Sequence, residues 1–348
     1  AQRLCGSGVS FGSCAIAVMR VVAAALVPTA CAAPCYALAI SGGGDKGAFE
    51  AGVLKGLVQK IPAGEAEWDI VTGISAGSIL ASGAALFDKG QEADMAEFLI
   101  DQVTNFTQAG VFKQWEPFGV LTGLGKSGLV NTEPLYDTLM GVLGSKPRGN
   151  RNFTIGATWD VTGTLVRFNE ENVQNVSQWA SHVRASSALP GLFDTVEIDG
   201  QVLSDGGCVL GVDIFAAVTR CQAAGATLDE ITLDVISAGS EASLKAWAPN
   251  DDDVSFELLV RGLDMQRYNQ QMSDLYDACK AYPTINWRYY VEPTVSLPSN
   301  GISFNKTEML EMVQIGLTEA AAADVNTACG AAEAHRHSHG GPSSVTVV

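Results

Sequence analysis

The sequence predicts an α/β fold: a single domain in which a mostly parallel central sheet has helices on both faces. Short, continuously apolar segments bounded by glycine are typical of buried strands, and here they alternate with longer segments of helical periodicity. Residues 36–40 form the first predicted strand, and residues 47–61 form the first predicted helix, which ends at Pro62. Because neither a linker nor a repeat interrupts residues 36–325, we expect one domain over this range.

The remaining elements follow from the same patterns. Between two predicted helices, residues 105–130 are rich in glycine and aromatic residues, which predicts a long surface loop or lid. The other predicted strands cover residues 68–72, 153–159, 164–168, 231–236 and 286–291, with a hairpin of residues 196–198 and 201–203 joined by Asp199-Gly200. The other predicted helices cover residues 78–87, 91–104, 132–142, 179–187, 213–221, 256–280 and 307–323.

The two ends of the chain differ in composition from the predicted domain. Residues 1–33 include Met19, an arginine, an apolar segment and a run of small residues, which is the order of a secretory signal with Met19 as its start. This favours the secretory pathway or an extracellular location, with the cytoplasm as the alternative. Residues 330–348 predict a polar, histidine-containing tail. No stretch of 18 uncharged apolar residues occurs, so the sequence predicts no transmembrane helix.

Composition and charge restrict the class of function. Hydrophobic residues make up 47% of the chain and charged residues 17%, which is typical of a core-rich enzyme and excludes a disordered chain. A formal net charge of −17 repels phosphate backbones, so we expect no nucleic-acid partner. It also disfavours docking on anionic lipid by charge alone. Since no cysteine or histidine spacing fits a metal site, we expect no cofactor.

Residues 73–77, Gly-Ile-Ser-Ala-Gly, match the Gly-x-Ser-x-Gly pattern between a predicted strand and a predicted helix. A sharp turn in this context lifts the serine hydroxyl above the sheet, and the flanking glycines allow the backbone to turn. The amino end of the following helix favours negative charge near the serine. Ser75 is therefore the candidate nucleophile.

Residues 42–47, Gly-Gly-Gly-Asp-Lys-Gly, directly follow the first predicted strand. Gly42, Gly43 and Gly44 offer consecutive backbone amides that could stabilise an oxyanion. The same residues also fit the Gly-x-Gly-x-x-Gly fingerprint of dinucleotide-binding proteins, but that motif requires an acidic residue at the end of the second strand. Here the second strand ends at the Ser75 turn instead, so the oxyanion interpretation is favoured.

A serine nucleophile needs a base, and the histidines fit this role poorly. Three of the four lie in the predicted tail and one lies in a predicted helix, where a solvated or packed side chain is the ordinary case. Asp205, followed by two glycines, stands instead at the end of a predicted strand, where the catalytic groups of such sheets collect. The four histidines are His182, His335, His337 and His339.

Residues 36–86 and 185–207 resemble the patatin-like phospholipase family. The first segment contains Gly-Gly-Gly-x-Lys-Gly and then Gly-x-Ser-x-Gly, and the second contains Ala-Ser-Ser-Ala-Leu-Pro-Gly-Leu-Phe and then Asp-Gly-Gly. The resemblance, which spans about residues 36–325, implies a patatin-like catalytic domain with Ser75 and Asp205 as its dyad. It assigns the oxyanion hole and the basic position beside it to Gly42, Gly43, Gly44 and Lys46. Residues 208–211 depart from the more polar or proline-containing stretch of many relatives.

The resemblance implies a lipid acyl hydrolase with no calcium requirement. The expected partners are a lipid substrate (a phospholipid, galactolipid or acylglycerol) and, transiently, a membrane surface. Two alternatives use the same fold: an acyltransferase in which an alcohol replaces water, and a storage or lipid-binding protein with little turnover. Intact Ser75 and Asp205 favour the hydrolase over the storage protein.

Overall fold

The computed structural model of the chain describes residues 33–246 and 255–339. The predicted leader with Met19, apart from Ala33, and the last nine residues of the predicted tail lie outside the described residues. Within the described ranges, no helix is both long enough and apolar enough to cross a membrane.

The central sheet has eight strands in the described part of the chain, in the order β10-β9-β1-β2-β4-β8-β7, with β5 paired to β4. The pairs among β10, β9, β1, β2 and β4 are parallel, and those of β4 with β5 and β8, and of β7 with β8, are antiparallel. This confirms the predicted mixed α/β class with a mostly parallel sheet. The strands are β1 (Cys35–Ile40), β2 (Ile70–Ile74), β3 (Gly128–Val130), β4 (Asn152–Trp159), β5 (Thr164–Asn169), β6 (Gly191–Phe193), β7 (Val196–Ile198), β8 (Gln201–Asp205), β9 (Ile231–Ile236) and β10 (Asn286–Val291).

Helices cover both faces of this sheet because its inner strands are apolar on both sides. In β1, Leu38 and Ile40 pack into one core, while Ala37 and Ala39 pack into a second core on the other face. The first core includes α1, α2, α3 and α11, and the second includes α8, α10 and α12. The helices are α1 (Gly47–Lys60), α2 (Ala76–Ala84), α3 (Glu92–Asn105), α4 (Gln108–Val111), α5 (Val120–Gly123), α6 (Glu133–Leu143), α7 (Val176–Ser186), α8 (Ile214–Ala223), α9 (Glu241–Lys245), α10 (Ser255–Ala281), α11 (Lys306–Ala322) and α12 (Ala328–His339).

Two segments differ from the prediction. Residues 105–130, predicted as a loop, contain α4, α5 and the strand β3, which pairs in parallel with β6. Residues 330–339, predicted as part of a polar tail, belong to α12, in which Ala328 and Ala332 are buried in the second core. A disulfide between Cys279 of α10 and Cys329 ties α12 to the domain, and a second disulfide joins Cys35 to Cys221.

The parallel pairing of β1 with β2 brings the two glycine-containing motifs to one edge of the sheet. Ile40, the last residue of β1, pairs with Gly73 near the end of β2. Residues 42–47 and Ser75 therefore emerge side by side at the carboxyl ends of adjacent strands, where open α/β sheets place their ligand sites.

Candidate active site

Ser75 occupies a strained turn between β2 and α2. Its backbone has φ of 53° and ψ of −122°, a region that residues other than glycine rarely adopt. A Cβ on Gly73 would lie 2.1 Å from the carbonyl O of Gly77, and a Cβ on Gly77 would lie 2.3 Å from that of Ser41. The amide of Ser75 donates to Oγ of Ser186 at 2.9 Å. Both glycines are therefore required by close packing, and Ser186 fixes the turn.

Strand β4 brings Asp205 beside this turn. Its residues up to Gly156 pair with β2, ending at Ile74, and its next residue, Ala157, pairs with Asp205 of β8. Because β5 occupies the other edge of β4, β2 and β8 share one edge. Ser75 and Asp205, the residues at the two facing strand ends, are thus neighbours although 130 positions separate them.

Asp205 is almost completely enclosed, with 3% of its surface exposed. Oδ1 accepts a hydrogen bond from the amide of Gly207 at 2.7 Å, whereas Oδ2 accepts none of normal geometry. Burial raises the pKa of Asp205, and the charge of Arg267, the Ser75 hydroxyl and the Gly207 amide only partly oppose this rise. A buried carboxylate with an unpartnered oxygen beside a serine is suited to accept a proton.

The glycine motif contributes two unoccupied amides. The amide of Gly42 donates to the carbonyl O of Gly211 at 3.4 Å, so of the three predicted donors it is the one already engaged. Among the described residues, the amides of Gly43 and Gly44 have no acceptor. A Cβ on Gly42 would lie only 2.8 Å from Cβ of Ser75, so the motif lies against the nucleophile turn. The geometry therefore favours Gly43 and Gly44 as the oxyanion donors.

Lys46, the predicted basic residue beside this motif, has its charge paired. Its Nζ lies 3.0 Å from both carboxylate oxygens of Asp264, and the lysine is buried. Asp264 belongs to α10, which the sequence analysis treated only as a helix. The positive charge of Lys46 is therefore balanced by a carboxylate, which the glycine motif alone does not show.

Two further polar residues of α10 support the site, and the sequence analysis missed both. Gln271 donates from Nε2 to the carbonyl O of Gly42 at 3.2 Å, and Asp274 accepts from the amide of Gly211 at 2.6 Å. Both are buried. With Asp264 they recur at intervals of seven and three residues, on one face of the helix. Polar residues at this spacing in the predicted helix 256–280 were the sequence feature that could have identified these residues.

An apolar pocket, here termed the acyl pocket, opens beside these groups. Ser75, Asp205 and Arg267 line one part of it. Most of its remaining lining side chains are apolar, as is usual for a lipid chain or another apolar ligand. They include Ile79, Val103, Phe106, Val111, Leu135 and Met309.

The histidines lie elsewhere. His182 stacks on Phe168 with 4.0 Å between ring centroids, and burial lowers the pKa of His182 to about 4. It does not line the acyl pocket. His335 and His337 lie on α12, on the second-core side of the sheet. Of the described histidines, none is placed beside Ser75.

The serine turn, the facing aspartate and the glycine loop lie together at one edge of an α/β sheet, and comparison with known sequences identifies the family. The patatin-like phospholipase family matches residues 38–218, just over half of the chain, and the chain belongs to this family. It shares 27% identity over 221 residues with uncharacterized NTE family proteins of Mycobacterium bovis and Mycobacterium tuberculosis. The match covers 63% of this chain and 53% of each relative, so the chain spans about half the length of these relatives.

A comparison of structures finds VipD from Legionella pneumophila. The match has 14% sequence identity and a TM-score of 0.37, and it covers 82% of this chain and 67% of VipD.

Proposed function

We propose that this protein is a lipid acyl hydrolase that cleaves fatty-acyl esters of glycerolipids through an acyl-enzyme on Ser75. The observation that carries the proposal is that Ser75 and Asp205 line one apolar pocket, and that Oδ2 of Asp205 has no hydrogen-bond partner among the described residues. Membership of the patatin-like phospholipase family supports the same chemistry.

In the proposed mechanism, Asp205 takes the proton of Ser75 as Oγ attacks the ester carbonyl carbon. The amides of Gly43 and Gly44 stabilise the negative oxygen of the tetrahedral intermediate; such donors are each worth roughly 10²–10³ in rate. When the intermediate collapses, protonated Asp205 gives its proton to the departing alcohol oxygen. Water then attacks the acyl-enzyme and gives a proton to Asp205. When this second intermediate collapses, Asp205 returns the proton to Oγ of Ser75 and the fatty acid is released. Since burial raises the pKa of Asp205, the carboxylate is a stronger base than an exposed one.

The proposed lipid contact has support in the segment between α4 and β3. Phe118, Leu121 and Leu124 expose 73%, 73% and 71% of their surfaces. This segment is continuous with β3, which pairs with β6, and Phe193 of β6 lines the acyl pocket. An exposed apolar cluster near the pocket favours transient contact with a lipid surface.

We also propose that the protein is secreted. The two disulfides join residues far apart in the chain, and disulfides persist in oxidising compartments. The order of charged, apolar and small residues after Met19 supports the same location.

A serine-reactive fluorophosphonate and a panel of phosphatidylcholine, galactolipid and triacylglycerol test the proposed function. The wild type should bind the probe covalently and release free fatty acid, and Ser75→Ala should lose both properties without a change in melting temperature. Ser187→Ala is the matched control, because Ser187 also lines the pocket but donates to the carbonyl O of Val183. It should keep the label.

Other outcomes identify the alternatives. Labelling of Ser75→Ala at the wild-type level would remove Ser75 as the nucleophile. Transfer of the acyl group to added glycerol in preference to water would identify an acyltransferase. Labelling without measurable turnover on any lipid of the panel would favour a storage protein.

A further inference from the structure

Arg267 of α10 lies where three cavities meet. It lines the acyl pocket together with Ser75 and Asp205. It also lines a cavity beside Gly43 and Lys46, and another beside Gly207 and Cys208. The side chain therefore stands beside the reacting groups, where the acyl pocket adjoins two further cavities.

Arg267 differs from its neighbour Lys46 in its contacts with the described residues. Lys46 is held by both carboxylate oxygens of Asp264. Within residues 33–246 and 255–339, no hydrogen bond or salt bridge of the Arg267 guanidinium is present, although its charge lowers the pKa of Asp205. A guanidinium has five N–H donors in a fixed fork, and in a half-buried position these donors favour an anionic ligand.

The chemistry of a glycerophospholipid places such an anion at this point. Its scissile ester and its phosphate are separated only by carbons of the glycerol unit, which leaves with the alcohol. With the acyl chain in the acyl pocket and the ester carbonyl at Ser75, the phosphate must lie on the leaving-group side. Of the two cations that line these cavities beside the glycine motif, Lys46 is already held by Asp264, whereas Arg267 has no hydrogen-bond or salt-bridge partner among the described residues.

We propose that Arg267, and not Lys46, is the specificity-determining residue that binds the phosphodiester of a phospholipid substrate through its guanidinium fork. This proposal rests on the proposed hydrolase function. Arginine and phosphate form paired, charge-assisted hydrogen bonds, which are stronger than neutral ones. A neutral galactolipid or acylglycerol has no group that makes this interaction, so Arg267 separates phospholipids from these lipids.

The test compares Arg267→Gln and Arg267→Lys with wild type on phosphatidylcholine and diacylglycerol of identical acyl chains, both in neutral detergent micelles. On phosphatidylcholine, Arg267→Gln should lower kcat/KM by about 10- to 100-fold, because bonds to charged groups are worth about 1.5–3 kcal/mol and about 1.4 kcal/mol is tenfold. On diacylglycerol it should change kcat/KM by less than about threefold. Arg267→Lys, which keeps the charge and loses the fork, should fall between wild type and Arg267→Gln on phosphatidylcholine.

Two controls separate the alternatives. Arg148→Gln removes the same charge from an exposed residue that precedes the amino end of β4, and it should leave both substrates unaffected. Each rate is measured on the plateau of the variant's own pH profile, since loss of Arg267 also raises the pKa of Asp205. Glycerophosphocholine should competitively inhibit hydrolysis of a soluble neutral ester by wild type and inhibit Arg267→Gln much less.

Equal losses on both lipids would overturn the proposal. Such losses on the plateau would mean that Arg267 acts on the reacting groups and not on the phosphate. A shift of the acid limb to higher pH is expected in either case, because the charge of Arg267 lowers the pKa of Asp205. Unchanged rates of Arg267→Gln on both lipids would exclude any role of Arg267 in substrate binding or catalysis. If wild type hydrolysed neither lipid, or if Ser75→Ala matched wild type, the hydrolase function itself would fail.

Discussion

Residues 38–218, which match the family, and helix α10, which follows the match, meet at the glycine motif but contribute different kinds of group. The matched region supplies the two side chains proposed to react and the free amides of Gly43 and Gly44. Helix α10 supplies side chains that hold this region in place: Asp264 pairs with Lys46, and Gln271 binds the carbonyl O of Gly42.

The comparison shows that residues restricted by close packing and residues restricted by a polar contact differ in how they can be recognised in a sequence. Gly73 and Gly77 admit no side chain, because a Cβ would lie within 2.3 Å of a backbone oxygen. A polar group on α10 only has to reach a carbonyl or an amine, which several residue types can do. Close packing therefore produces a glycine motif that is visible in the sequence. The polar contacts of α10 produce only a helical spacing of polar residues.

The largest effect should come from the matched region. Asp205→Asn keeps the shape of the side chain and removes the proton-accepting charge, so ester hydrolysis should fall by about 10²–10⁴, the usual value of a positioned base. The measurement is kcat/KM on a soluble ester, with melting curves to show that the variant is folded.

The pH profile of wild type gives an independent check on Asp205. The base must be ionised, and burial raises the pKa of Asp205 above its ordinary 3.8. Activity should therefore fall as the pH decreases, with a midpoint above 3.8. Near-full activity of folded Asp205→Asn would leave Ser75 without a base. Asp205 would then have only a supporting role, like the polar residues of α10.

A smaller effect should come from α10. Gln271→Ala removes the amide that donates to the buried carbonyl of Gly42 and accepts from the hydroxyl of Ser237. This loss should cost about 1–3 kcal/mol in the free energy of unfolding. We expect kcat to fall by about tenfold, equivalent to about 1.4 kcal/mol in the barrier, because the glycine motif loses its position.

Asn269→Ala is the matched control on the same helix. Asn269 is exposed and donates to the carbonyl O of Met265 within the helix, so its loss should leave kcat and stability nearly unchanged. If Gln271→Ala reduced kcat as strongly as Asp205→Asn, the distinction between reacting and supporting regions would not hold.

The smallest effect on rate should come from His182→Ala. Its ring packs on Phe168 and does not line the acyl pocket, so kcat at 25 °C should stay within about threefold of wild type. The melting temperature should decrease, since truncation leaves a cavity in the core. A loss of rate near 10⁴, as expected when a triad member is removed, would instead make His182 the base.

The sequence by itself determined the fold class, most of the elements and the candidate dyad. Strand and helix periodicities are local properties, and the Ser75 turn is specified within five residues by glycines that packing requires. The β7–β8 hairpin was readable for the same reason: Asp199 and Gly200 adopt the positive φ values that a tight turn needs.

Tertiary structure alone decided which distant groups share an environment. The pairing of β4 with both β2 and β8 places Asp205 at Ser75. Packing of α10 against the glycine motif pairs Lys46 with Asp264, whereas Arg267 has no such partner among the described residues. The disulfide of Cys329 with Cys279 and the packing of Ala332 likewise hold against the domain a helix whose polar composition suggested a tail. The sequence records a polar residue on a helix in the same way whether its side chain contacts solvent or a buried carbonyl. Its desolvation, and therefore its charge state and its partner, depends on chain segments hundreds of residues away.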